Sequence, residues 1–416
     1  MSNTYEKFRN EIVAGGGIDV PDDTVRGRRA LLGLGSLLAL LAMLAIANIW
    51  IFVFVVGLLT SVFLHEVGHF VTARRSGMKV TQFFMGMGPR LWSFKRGEVE
   101  YGVRALPIGA FVRIVGMNNL DETDPADEPV TYRSKSYPRR MLVITAGSMM
   151  HMLIAVLLLF TVYNVWGKDK ANGEVMFVRI ETNGPADKAG LKAGDIVESA
   201  GGVAITSAST FVDYVHKQHP GDLAHIGVRR DSQHLSVNVA LGTNPTVGSE
   251  GLAYMGVVSG DKASFQNIPF SAAVSSSFTD LWSAAGQSVK GVVKVMNPVN
   301  ILAHLSGSNT DQASRPVTVY GISRLSSTIG RETGLPGILL TLAGINVFIG
   351  LLNLFPLLPF DGGHAAIATY ERLRSRRGRR YTADVAKMVP VAMTVMTFLV
   401  FVLFAGLYLD ITNPIR

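Results

Sequence analysis

The sequence predicts a polytopic α-helical membrane protein of about five spans, with a membrane-associated β-hairpin region on its cytoplasmic side and one soluble domain outside. Three observations predict it. The 416 residues are 48% hydrophobic and only 17% charged, with mean hydropathy +0.30, too apolar for an average soluble chain. The apolar residues gather in long uncharged runs. Arginines cluster at alternate ends of those runs, the pattern that orients membrane spans. The formal charge of +8 therefore reads as membrane orientation, and no nucleic-acid partner is expected. The chain has no cysteine, which excludes disulfides and thiolate metal sites and says nothing about compartment. Residues 1–29 are hydrophilic and lack an apolar core with a small-residue cleavage site, so a cytoplasmic tail is expected and a cleaved signal peptide is not.

Residues 30–64 contain no Asp, Glu, Lys, Arg or His. Continued to Phe70, the run would make a helix of roughly 60 Å, about twice the hydrocarbon thickness. Two spans turning near Asn48–Trp50 absorb that length, where an amide and an aromatic suit the interface. Arg26, Arg28 and Arg29 precede the run and Arg74 and Arg75 follow it, so both ends face the cytoplasm and the crossings are even in number. The spans are placed at 30–48 and 50–72. Three more follow at 141–166, 335–364 and 388–409, the first preceded by Arg139 and Arg140, the last by "ERLRSRRGRR". Alternation puts 1–29, 73–140 and the basic segment 365–387 in the cytoplasm, and the C-terminus outside.

Within 73–140, "LWSFKRGEVEYGVRAL" reads as a β-hairpin about a "KRGE" turn, followed by the glycine-punctuated "PIGAFVRIVGM". A hairpin so apolar, directly after a span, touches or dips into the membrane under the cover of protein. The acidic "DETDPADEP" reads as a solvated loop. Residues 172–262 form the one clearly soluble domain. Residues 263–334 form an extracytoplasmic linker with patches of helical amphipathicity, suited to lying along the outer membrane surface.

"SVFLHEVGHFVTARR", residues 61–75, holds the candidate chemistry. His65 and His69 are four apart and share one helix face, one turn apart. Two imidazoles so placed can bind Zn²⁺, with Glu66 beside the metal to take a proton from its water. The bland alternative is the polar end of a membrane anchor. Three ionisable residues in five, inside a span, are costly and usually functional. His69 lies only ~7.5 Å of helix from Arg74, just inside the cytoplasmic boundary. A third ligand is needed at the same depth. Asp361 in "NLFPLLPFDGGH" meets that condition at the cytoplasmic end of a later run, with Gly362 and Gly363 expected to relax the backbone after it. His364 is the alternative.

Two resemblances follow. "GPADKAGLKAGDIVESAGGVAI" resembles the core of a bacterial PDZ domain, a fold that commonly binds extended peptides by adding them to a sheet edge. A spacer or steric module that binds no peptide is the other reading. "HEVGH" in a span, that PDZ-like insertion, and Asn-x-x-Pro-x-x-Pro-x-Asp-Gly-Gly in a later span together resemble the site-2 protease family of intramembrane zinc metalloproteases. The resemblance is nearest to the bacterial regulator-of-sigma-E type and its actinobacterial relatives. It covers about residues 50–416 and leaves the first span and tail outside. It implies Zn²⁺ held by His65, His69 and Asp361, Glu66 as general base, and Asn353 as the asparagine that holds substrate backbone. It also implies a substrate-pairing β-region containing Gly86 and Gly88.

One departure stands out. Relatives carry Gly-Pro-x-x-Asn where this chain has "GSMMH", so Ser148 replaces proline and His151 the substrate-contacting asparagine. His151 either keeps the hydrogen-bonding role or is a buried histidine satisfied within the bundle, with zinc ligation a third reading. The family implies a bacterial plasma membrane location and single-span transmembrane substrates such as anti-sigma factors, first trimmed outside by a site-1-type protease. A non-catalytic PDZ-bearing membrane adaptor, and another class of membrane-embedded HExxH protease, are the rival readings. For orientation, a topology reporter fused near Asn48 should signal from outside the cell; a cytoplasmic signal would refute the two-span division of residues 30–72.

Overall fold

The structure is a computed structural model and describes residues 27–117, 123–244, 251–309, 314–375 and 381–414. The tail predicted at residues 1–29 therefore lies almost wholly outside the described residues. Among the described residues five helices are long and apolar enough to cross a membrane, and the chain forms two compact units, one of them residues 163–273.

The first long run is two helices, α1 (Arg28–Ala47) and α2 (Ile49–Arg75). Asn48 breaks the run. Its backbone is extended, its side-chain oxygen accepts the amides of Trp50 and Ile51 at 3.1 Å each, and its Nδ2 donates to Ser327 at 2.7 Å. Those bonds cap the new helix, which would otherwise begin with unsatisfied amides.

Strands β1 (Val80–Arg96) and β2 (Val99–Ile114) extend the hairpin well beyond the segment read from sequence. Each strand doubles back on itself. Val80 faces Ile114 and Met85 faces Ala110 with falling register, while Gln82–Met85 also face Glu100–Val103 with both numbers rising. The glycines at the bends make this possible: Gly86, Gly88 and Gly109 have φ of 86°, 81° and 80°, and a Cβ on Gly86 would sit 2.5 Å from the Leu106 carbonyl oxygen. Inside the fold, Arg104 stacks over both Phe84 and Phe111, and Arg90 pairs with Glu100 at 3.0 Å.

Helix α3 (Tyr137–Val165) follows. The second unit carries β3 (Lys168–Ile180), the short α4 (Pro185–Lys188), β4 (Ile196–Ala200), β5 (Val203–Ala204) and α5 (Ala208–His216), then β6 (Leu223–Arg230) and β7 (Gln233–Ala240). The pair β8 (Gly242–Thr243) and β9 (Ala253–Tyr254) precedes β10 (Val257–Gln266). Its sheet order is β10-β3-β4-β6-β7, with β5 against β4. Phe177, Phe211, Ile226 and Val239 fill the core. Asp231 and Ser232, both at positive φ, make the two-residue turn of the β6–β7 hairpin.

The chain returns through α6 (Phe270–Val295) and α7 (Pro298–Leu305) to α8 (Val319–Asn353), α9 (Asp361–Arg374) and α10 (Val389–Thr412). Helix α8 packs on α2 around Phe54, Ile338 and Leu342. A Cβ on Gly57 would collide with Leu342, and one on Gly330 with Trp50, so glycines set the closeness of this pair.

The span predicted at 335–364 is corrected. Helix α8 begins earlier, kinks at Gly334 (φ 68°) ahead of Pro336, and ends at Asn353. Residues 354–360 are non-helical and Asp361 opens a separate helix. The reason is proline chemistry: Pro356 and Pro359 remove donors and clash with the preceding turn, and the Leu358–Pro359 bond is cis. Helices also occupy much of the predicted linker 263–334 and the start of the predicted basic segment 365–387.

At the far end of α8, Arg315 and Asp410 are buried together at 2.9 Å, their side chains 1% exposed. Asp410 also accepts from the Thr318 amide and hydroxyl, and Arg315 donates to the Asn413 carbonyl. Asp410→Ala removes the Asp410 carboxylate from a buried guanidinium and should lower stability by about 3–5 kcal/mol. The double change Arg315→Met with Asp410→Leu should cost less; thermal unfolding in detergent would contradict the pairing if both variants melted alike.

Candidate functional site

Helix α2 brings His65 and His69 to one face, both buried. His69 Nδ1 donates to the Val143 carbonyl on α3 at 2.8 Å. This places its proton on Nδ1 and leaves the Nε2 lone pair for another partner. His69 Nε2 lies 3.1 Å from His65 Nε2 and 3.3 Å from Asp361 Oδ2, and His65 Nε2 lies 3.5 Å from the same oxygen. Asp361 Oδ2 is buried with no hydrogen-bond partner.

Three lone-pair atoms thus converge on one point, and among the described residues this is the group that could hold a metal ion. Four ligands set tetrahedrally at zinc-bond lengths of about 2.0–2.1 Å stand about 3.3 Å from one another. The observed separations of 3.1–3.5 Å bracket that value, and two neutral imidazoles with one carboxylate are ligands zinc accepts. The residues fit the ion. Glu66 Oε1 stands 4.0 Å from His65 Nε2, beside the cluster and outside it.

Close approach of α3 is a matter of two glycines. A Cβ on Gly68 would meet the Ala146 carbonyl at 2.9 Å, and one on Gly147 would lie 2.3 Å from His65 Cε1 and 2.4 Å from His69 Nε2. The third ligand arrives by a different device. Gly362 and Gly363 are helical residues of α9, and a Cβ on either would strike the backbone of 354–358, at 2.2 Å from the Leu354 oxygen and 2.5 Å from the Leu357–Leu358 amide. They make room for the loop against the helix start; backbone relaxation, the role read from sequence, is not what their conformation uses. His364 lies one turn along α9, lining a small cavity with Tyr132, Arg140 and Glu371, and does not join the three-atom group.

His151 is 1% exposed. Its Nδ1 donates to Asn346 Oδ1 at 2.8 Å, Asn346 Nδ2 donates to Ser61 and to the Leu342 carbonyl, and the His151 ring centre is 4.9 Å from that of His65. Asn353 ends α8, half-buried, with no side-chain hydrogen bond to another described residue. Gly86 and Gly88 form the β1 bend. Gly147, Asn346 and Ser61 escaped the sequence reading. An asparagine and a serine in otherwise apolar spans were the available signal for the last two.

A family model described as Peptidase family M50 matches residues 53–397. The chain is 32% identical over 407 residues to the zinc metalloprotease Rip1 of Mycobacterium tuberculosis, covering 88% of this chain and 98% of that one. It is 30% identical to Rip1 of Mycolicibacterium smegmatis over the same shares, and 23% identical to the zinc metalloprotease RasP of Shouchella clausii, over 76% of this chain and 88% of the relative. Among solved structures, the PDZ domain of the SdrC-like protein from Listeria monocytogenes aligns at 22% identity over 21% of this chain and 90% of that one, with TM-score 0.19.

The packing of Gly147 on both imidazoles yields a test. Gly147→Ala should weaken zinc retention by about 10–100-fold, read by metal analysis of purified protein after dialysis against a graded chelator. Zinc held as tightly as in the wild type would contradict this account of the site.

Proposed function

The chain belongs to peptidase family M50, the site-2 protease family of membrane zinc metalloproteases, and on that premise we propose that it cleaves single-span transmembrane proteins near their cytoplasmic side. The observation that carries the proposal is the convergence of His65, His69 and Asp361 within 3.1–3.5 Å, with Glu66 alongside, in helices apolar enough to span a membrane.

In the proposed mechanism His65, His69 and Asp361 hold Zn²⁺. When bound, the ion polarises the scissile carbonyl and acidifies water. Glu66 takes the proton of the attacking water and passes it to the departing amine nitrogen as the C–N bond breaks. His69 is kept in the ligating tautomer by the Val143 carbonyl. A helical substrate hides its amides in its own hydrogen bonds and must unwind before it can be cut. Strand pairing with β1–β2, bent at Gly86 and Gly88, replaces the bonds lost.

Asn353 extends an unengaged amide to the substrate backbone, and His151, with Nδ1 committed to Asn346, takes part through its other ring nitrogen. The substrates are anti-sigma-factor-like proteins already trimmed outside by a site-1-type protease. The soluble unit, read as an outward PDZ domain, favours trimmed chains by end binding or exclusion. The location proposed is the bacterial plasma membrane, N-terminus inside and C-terminus outside.

Glu66→Gln should reduce cleavage of a tagged single-span substrate by about 10²–10⁴-fold while keeping its zinc, whereas His65→Ala should lose both. Equal cleavage by wild type and Glu66→Gln would sink the catalytic assignment.

A further inference from the structure

We propose that the groove between the start of α3 and the end of α9 binds a phosphate group, which in the membrane belongs to an anionic phospholipid headgroup. The groove measures about 650 Å³ and is lined by Lys135, Ser136, Tyr137, Arg140, Glu371 and Arg372 among others, a size suited to a small ligand.

Its described lining is mainly basic. Lys135, Arg140 and Arg372 face one carboxylate, Glu371, whose two oxygens are already engaged: Oε2 with Arg140 at 2.6 Å, Oε1 with the Ala383 amide at 2.8 Å. Arg372 is exposed and forms no ion pair with a described residue. Arg140 is 94% buried, fixed by its bond to Glu371 and with its guanidinium carbon 5.1 Å from the centre of the Tyr132 ring. A guanidinium fixed in the wall of a basic groove, with Lys135 and Arg372 beside it, suits a tetrahedral oxyanion, whose several oxygens accept from such donors. The first turn of α3 adds a favourable dipole end.

The depth favours the lipid. Tyr137 stands where the apolar run of α3 begins, flanked by Lys135, Arg139 and Arg140, and such aromatic and basic flanks sit at headgroup level. The position also has a consequence for the site. Helix α9 opens with Asp361 and α3 carries Gly147 against the histidines. A phosphate bridging the two helices adds to the Arg140–Glu371 pair in holding α9 in place.

The test uses the full chain in detergent, with native mass spectrometry of retained phosphatidylglycerol against phosphatidylcholine. A parallel titration uses inorganic phosphate. Wild type should retain one phosphatidylglycerol in preference to phosphatidylcholine. Lys135→Gln and Arg372→Gln should each weaken retention about fivefold, with zinc content and unfolding temperature unchanged, and Arg372→Lys should restore it. Displacement of the lipid by millimolar inorganic phosphate in wild type, weakened in the variants, would assign the group to a free phosphate source and still support the site. Equal retention by wild type and both Gln variants, or no lipid preference together with no phosphate binding, would overturn it.

Discussion

An apolar helix bundle tolerates polar side chains only when each buried atom has a partner, and the arrangement around His65 and His69 follows from that constraint. Val143 takes one imidazole proton and Asn346 takes another from His151. Two imidazole nitrogens and one carboxylate oxygen are left aimed at a common point, while His65 Nδ1 stays buried without a hydrogen-bond partner. Among the described residues no side-chain donor meets all three, and a cation would. The same group that is costly to bury as bare side chains becomes stable as a metal centre, so the features that make the bundle possible also make the chemistry possible.

Bringing those atoms together requires backbones closer than side chains ordinarily permit. Gly68 and Gly147 let α2 and α3 touch, Gly57 lets α8 settle on α2, and Gly362 and Gly363 let residues 354–358 fold onto the start of α9. Non-helical backbone at this depth leaves peptide groups that lipid cannot satisfy. Turn bonds such as Leu354 to Leu351, Phe355 to Leu352 and Phe360 to Leu357 absorb part of that demand. The β1–β2 region meets it by folding back on itself, so that Gln82–Met85 are paired on both sides.

Buried ion pairs follow the same rule elsewhere. Arg315–Asp410 ties the start of α8 to α10, and Arg140–Glu371 ties α3 to α9. In both, the remaining carboxylate capacity is filled by backbone amides or a hydroxyl, which is the condition under which a buried pair holds two elements in register. Arg140 keeps one buried N–H without a hydrogen-bond partner.

The sequence by itself determined the apolar runs, the flanking arginines, the glycine-punctuated hairpin and the His-Glu-x-x-His spacing, because these depend on local composition and helical periodicity. It also carried Asp361, the first carboxylate after the later apolar run. Residue identity could not reveal where α8 stops, that the hairpin doubles back, or that the glycines after Asp361 serve close packing. Those outcomes depend on which backbone lies opposite. Gly147, Ser61, Asn346 and the Val143 carbonyl belong to this second class. A carbonyl looks alike at every position in a sequence, and a glycine shows its purpose only when two imidazole rings occupy the space its missing side chain would have filled.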